Sequence, residues 1–239
     1  MTVYSTGAPM YPARAPTDGL RTFHPRKGRL SARHEQALSR LLPVLGVPIA
    51  AEPGPALDTA ELFGRVSPVV VEIGSGMGDA TAAMAAADPD RDYLAVDVHL
   101  PGIANLLRLI DDAGLTNLRV GYGDALDLLR YQVPVGHLDA VHVFFPDPWP
   151  KARHHKRRLV QPANVVLLAS RLRPGGTLHC ATDWAEYAEV MLATLTASLD
   201  LVNAHPGFAP CPGARPLTKF EQRGAEAGRT IFDLVFRRS

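Results

Sequence analysis

Val69-Val70-Val71-Glu72-Ile73-Gly74-Ser75-Gly76-Met77-Gly78 is the stretch on which the fold turns. Its first half is a short apolar run broken by one carboxylate, as expected of a strand covered on both faces. Its second half places glycine at alternate positions. There the backbone can turn sharply and come close to a ligand, because no Cβ intrudes. Asp79 to Ala87 follows as an alanine-rich segment that reads as a helix.

The same order of strand, turn and helix continues down the chain. Tyr93–Val98, Leu118–Tyr122, Ala140–Phe145 and Thr177–Thr182 read as strands. Gly102–Ala113, Val160–Leu172 and Trp184–Leu199 read as helices, with a short helix before Ala140. Arg173-Pro174-Gly175-Gly176 is a helix stop, and Arg229–Arg237 closes the sheet. Strands alternating with helices predict an α/β fold around a mainly parallel, doubly wound sheet. Upstream, Leu30–Leu45 has helical spacing and Pro48–Pro55 is a loop. Residues 1–20 are expected to be a flexible tail and residues 21–239 a single domain, the default for 239 residues.

Composition excludes several classes. The formal net charge is +1, so any polyanion contact must come from local clusters rather than a uniformly basic coat. Arg21, Arg26, Lys27, Arg29 and Arg33 form one cluster, and Lys151, Arg153, Lys156, Arg157 and Arg158 form another. Two cysteines, Cys180 and Cys211, are too few for a disulfide framework or a cysteine zinc site. No apolar run has membrane-spanning length and no signal-peptide pattern opens the chain, so the expectation is a cytoplasmic protein without membrane contact. Nothing in the pattern favours monomer over homodimer.

In an open parallel sheet, ligands bind beyond the carboxyl ends of the strands. After the first strand come Gly74, Gly76 and Gly78. The second ends in Asp97, suited to accept from both hydroxyls of a ribose. The third leads to Asp124, suited to take the exocyclic amine of adenine. A glycine turn and an acidic strand end also fit an NAD-binding domain. Gly-x-Gly-x-Gly differs, however, from the dinucleotide spacing, and Glu72 would repel a pyrophosphate. A carboxylate there suits the ammonium or sulfonium of S-adenosylmethionine instead.

The fourth strand runs into Phe144-Phe145-Pro146-Asp147-Pro148-Trp149-Pro150-Lys151-Ala152-Arg153-His154-His155-Lys156-Arg157-Arg158-Leu159. It carries Asp147 to the carboxyl edge between two prolines that restrict the backbone. Trp149 either stacks on a base or covers the core edge; the core reading is favoured for a lone tryptophan. Cations ahead of a helix oppose its dipole, so the basic run reads as a phosphate contact. His154 and His155 lack the partners of a metal site, and no metal is expected.

These residues resemble the bacterial tRNA (guanine-N7-)-methyltransferases. The resemblance rests on Phe145-Pro146-Asp147-Pro148-Trp149-Pro150-Lys151 with its His-His-Lys-Arg-Arg run, and on Glu72–Gly78. It extends to Val98–Gly102, Thr182-Asp183-Trp184 with Tyr187, Thr218–Gly224 and the arm Arg26–Leu30. The resemblance implies a seven-stranded, Rossmann-like class I sheet with one antiparallel C-terminal strand. It implies methyl transfer from S-adenosyl-L-methionine to a guanosine N7 in the tRNA variable loop. Glu72, Asp97, Asp124 and Asp147 match the family's cofactor positions; from the chemistry of guanine N7, Asp147 is also expected to be catalytic by gripping the guanine edge and offsetting the growing charge. Lys151, Asp183, Thr218, Lys219, Phe220 and Glu221 match its substrate positions. Arg153, His154, His155, Lys156, Arg157 and Arg158 match its RNA-contacting run. The family usually carries glutamate where Asp97 stands. Asp183 equally suits a helix N-cap, and Tyr187 packing. Two other readings remain: an S-adenosylmethionine enzyme with another RNA or small-molecule target, and a catalytically silent RNA-binding relative.

Overall fold

A computed structural model of the protein describes residues 21–23, 28–210, 216 and 228–239. The expected tail over residues 1–20 lies outside the described residues, as do Arg26, Lys27, Cys211 and the segment Thr218, Lys219, Phe220 and Glu221.

The central apolar runs, such as Val69–Ile73 and Asp92–Asp97, form strands buried on both faces. In chain order the strands are β1 (Gly46–Val47), β2 (Val69–Ile73), β3 (Asp92–Asp97), β4 (Leu118–Tyr122), β5 (Leu138–Phe144), β6 (Leu172–Thr182), β7 (Leu201–Asn203) and β8 (Phe232–Arg238). They join in one sheet in the order β1-β4-β3-β2-β5-β6-β8-β7. Strands β1 to β6 pair in parallel, whereas β8 is antiparallel to both β6 and β7. The doubly wound α/β expectation therefore holds, with eight strands rather than seven. The strands not read from the sequence are β1 and β7, of two and three residues, too short to show a period-two pattern.

The helices are α1 (Ala32–Leu45), α2 (Thr59–Phe63), α3 (Asp79–Ala87), α4 (Leu100–Ala113), α5 (Ala125–Tyr131), α6 (Pro162–Arg171) and α7 (Ala185–Thr196). Side chains of α1, α3 and α4 bury against one sheet face, and those of α5, α6 and α7 against the other. Val70, Val71 and Leu94 at the centre are wholly enclosed. Each such side chain contributes about 1.5–3 kcal/mol by leaving water.

Two boundaries differ from the sequence reading for local reasons. The basic run ahead of the expected Val160–Leu172 helix forms a 3-10 helix of its own, Ala152–Arg157, and α6 starts at Pro162. Proline fits a first helical turn, where its missing N–H is not needed. The Arg173–Gly176 stop belongs to β6 as an irregularity, since the ladder jumps from Leu138↔Leu172 to Ala140↔Thr177.

Strand order reverses at β2, which has β3 on one side and β5 on the other. The loops leaving β2 and β5 thus flank the crevice where ligands bind in such sheets.

Candidate active site at the carboxyl edge of the sheet

Gly74, Gly76 and Gly78 all have positive φ, at +83°, +59° and +81°. The turn is stitched to its neighbours. Gly74 N–H donates to the Val96 carbonyl at 2.8 Å, and Gly76 N–H to Asp97 Oδ2 at 2.7 Å. Asn105 on α4 donates to the Met77 carbonyl at 2.7 Å. Gly102 permits that approach, because a Cβ there would fall 1.8 Å from the Gly76 carbonyl oxygen.

Asp97 therefore does more than end a strand. Its other oxygen accepts from His99 N–H at 2.8 Å, so one buried carboxylate spans the glycine turn and the start of α4. Burial raises its pKa, and the backbone donors oppose that rise. Asp124 caps α5 by accepting from Leu126 N–H at 2.9 Å. Neither structural duty follows from an acidic residue at a strand end.

Glu72 lies beneath the turn, 3% exposed. Burial is the main reason its pKa rises to about 7, and the charge of Asp97 adds to it. The Thr81 hydroxyl opposes the shift from outside hydrogen-bonding geometry. Glu72 Oε2 is buried with no hydrogen-bond partner among the described residues. A raised folded-state pKa means that stability is fully present below the ordinary value of 4.5 and is lost as pH climbs to about 7. Glu72→Gln should accordingly match the wild type near pH 4.5 and gain on it up to about pH 7, with a constant margin beyond. Urea unfolding of both proteins across this range checks it; a margin independent of pH would contradict a buried, titrating Glu72.

At the end of β5, Phe145 N–H continues the ladder to the Ala181 carbonyl at 2.8 Å. Phe145 and Trp149 then adopt φ of +50° and +46°, the two non-glycine residues with positive φ among those described. Each such conformation costs about 1–3 kcal/mol and persists only where its surroundings impose it. Asp147 sits half-buried between them. Trp149 is 5% exposed, as the core reading expects, and its indole N–H donates to the Thr22 carbonyl at 3.3 Å.

The basic run divides into three groups. Lys151, Arg153 and Lys156 are exposed. His154 packs edge-on against Trp149, Arg157 lies over the same ring at 5.1 Å, and His155 is half-buried. Arg158 corrects the sequence reading. It is 1% exposed, too enclosed to meet an RNA phosphate. Its Nε donates to the Pro148 carbonyl at 2.9 Å, and its two terminal nitrogens bind Glu186 at 3.0 and 2.6 Å. Asp183, at the end of β6, pairs with Arg229 at 2.5 Å. The N-cap of α7 is Trp184 rather than Asp183, and the Thr182 hydroxyl accepts from Trp184 N–H. Tyr187 is buried, with its hydroxyl accepting from Val160 N–H.

A glycine turn after β2 and an aspartate loop after β5, at adjacent carboxyl ends where a doubly wound sheet reverses, give the protein the fold of a class I methyltransferase. The fold of KamB, a 16S rRNA methyltransferase, is similar, with a TM-score of 0.56 and 16% identity over 77% of this chain and 94% of that one. The family model described as "Putative methyltransferase" matches residues 66–234. A tRNA (guanine-N(7)-)-methyltransferase of Streptomyces avermitilis is 57% identical over 221 residues, which span 92% of this chain and 75% of the relative. One of Aromatoleum aromaticum is 50% identical over 226 residues, 95% of this chain and 86% of the relative. The chain belongs to the bacterial tRNA (guanine-N7-)-methyltransferase family.

Proposed function

We propose that this protein methylates N7 of a guanosine in the variable loop of tRNA, using S-adenosyl-L-methionine, in the cytoplasm. The observation that carries this is the meeting of two features at one crevice. One is a buried, unpartnered carboxylate oxygen on Glu72 beneath a glycine turn; the other is Asp147 in a strained loop opposite.

Glu72 fits the cofactor, since a sulfonium or ammonium placed there gives the orphaned oxygen a charged partner. Gly74, Gly76 and Gly78 leave room for close approach, Asp97 faces the ribose and Asp124 the adenine. S-adenosylmethionine, when bound, supplies an electrophilic methyl group.

Guanine N7 has a free lone pair and no proton, so no general base is required. Catalysis then reduces to alignment and to charge. Asp147 grips the guanine edge through its N1 and N2 hydrogens, which selects guanine. The same carboxylate stabilises the positive charge that grows on the ring. Lys151, Asp183 and the segment Thr218, Lys219, Phe220 and Glu221 hold the nucleotide. Arg153, Lys156 and Arg157 hold phosphates, with His154 and His155 beside them.

Methyl transfer from labelled cofactor to unmodified bulk tRNA, followed by nucleoside analysis, tests the reading. Labelled 7-methylguanosine is expected. Cofactor binding without label on tRNA would discard the substrate and retain the crevice.

A further inference from the structure

We propose that Arg158 and Glu186 form a positioning pair that holds the Asp147 loop in its working conformation and fixes it to the start of α7. This rests on the catalytic reading of Asp147 given above. Pro146 and Pro148 carry no N–H, so the backbone on either side of Asp147 cannot be held by donors of its own. The Pro148 carbonyl is the adjacent handle, and Arg158 grasps it.

All three guanidinium nitrogens donate. Its Nε is on Pro148, its other two nitrogens fork onto Glu186, and its face lies 4.7 Å from the Tyr187 ring centre. Its backbone N–H also closes the 3-10 helix by donating to the His155 carbonyl. Glu186 occupies the first turn of α7, where the helix dipole favours a carboxylate. Its side chain remains 53% exposed, and the bond to Arg158 holds its pKa below the ordinary range.

The pair thus connects the loop after β5 with the helix that follows Asp183. The separation between the two candidate aspartates depends on it. Glu186 is the one ion-pair partner of Arg158 among the described residues, and a buried guanidinium deprived of it is strongly destabilised, so the strut fails if Glu186 is removed.

Glu186→Ala is the informative variant, because its side chain is half in water and its loss leaves the core intact. Arg158→Met removes the strut and the buried charge together, so thermal melting of both variants separates loss of the strut from loss of folding. In a Trp184→Phe background, which removes a side-chain hydrogen bond to Glu186 and is therefore measured first as its own reference, the remaining tryptophan, Trp149, reports on the loop. Its emission should shift to the red and its acrylamide quenching rise at least twofold in Glu186→Ala, with no tRNA present. With saturating tRNA, kcat per S-adenosylhomocysteine-binding site should fall at least tenfold, with KM for tRNA and its salt dependence unchanged within twofold. Glu186→Gln, which keeps one acceptor oxygen, should fall between. Unchanged kcat per site, or a defect in KM alone with a shallower salt dependence, would overturn the proposal. Failure of the wild type to methylate tRNA would instead sink the assigned function, while the Trp149 signal would still test the strut.

Discussion

Asp147→Ala is expected to reduce kcat by about 10²–10³-fold, the range for removing one preorganised group that stabilises transition-state charge. The loss should fall on kcat rather than on folding. Asp147 is half-buried at the surface of the crevice, and Phe145, Trp149 and Arg158 shape its loop through their own contacts. Asp147→Asn offers a sharper comparison, because an amide keeps the size and one acceptor but loses the charge. If charge stabilisation dominates, Asn should resemble Ala; if guanine recognition dominates, Asn should recover part of the rate. Single-turnover methyl transfer with tRNA in excess separates these outcomes, and thermal melting confirms the fold. Near-normal turnover in Asp147→Ala would remove this residue from the mechanism.

Gly102→Ala should damage the protein from the opposite side of the crevice. The added Cβ would meet the carbonyl oxygen of Gly76 at 1.8 Å, and that oxygen belongs to backbone rather than to a side chain able to swing away. Either the glycine turn moves off α4 or the first turn of α4 unwinds. Both break the bonds from Gly76 to Asp97 and from Asn105 to Met77. Overpacking of this kind costs about 3 kcal/mol. For a chain of this size that is a fall in melting temperature of roughly 6–12 °C. S-adenosylhomocysteine affinity, measured by calorimetry well below the melting point, should weaken at least tenfold. Unaltered affinity would mean that the turn is not held against α4 as described.

The sequence and the structure agree best where burial and spacing are local. Asp79–Ala87 and Leu118–Tyr122 match α3 and β4 end for end, because a continuous apolar or alanine-rich run carries its own boundaries. The carboxylates were legible too, since strand ends in a parallel sheet all lead to one edge. What escaped was pairing at long range. Nothing around Arg158 distinguishes it from Arg157, yet Arg157 lies over the Trp149 ring while Arg158 is sealed under Pro148 by Glu186, 28 positions away. Asp183 had the right spacing for a cap, but Arg229 claims it across 46 positions. Short elements such as β1 and β7 offer too few residues for any period to register.

The place of β8 has a consequence for how the protein is made. Strand β6 is synthesised well before its partner, and β7 emerges in between without touching it. On the ribosome, then, β6 offers a bare row of amides and carbonyls until residue 237 has left the exit tunnel. Such an open strand edge is a template for pairing with a neighbouring nascent chain. His179 in β6 also waits for Asp233, its buried partner at 2.7 Å, until the same moment. The sheet can close only after synthesis of its eighth strand, which leaves β6 open to mispairing until translation is nearly complete.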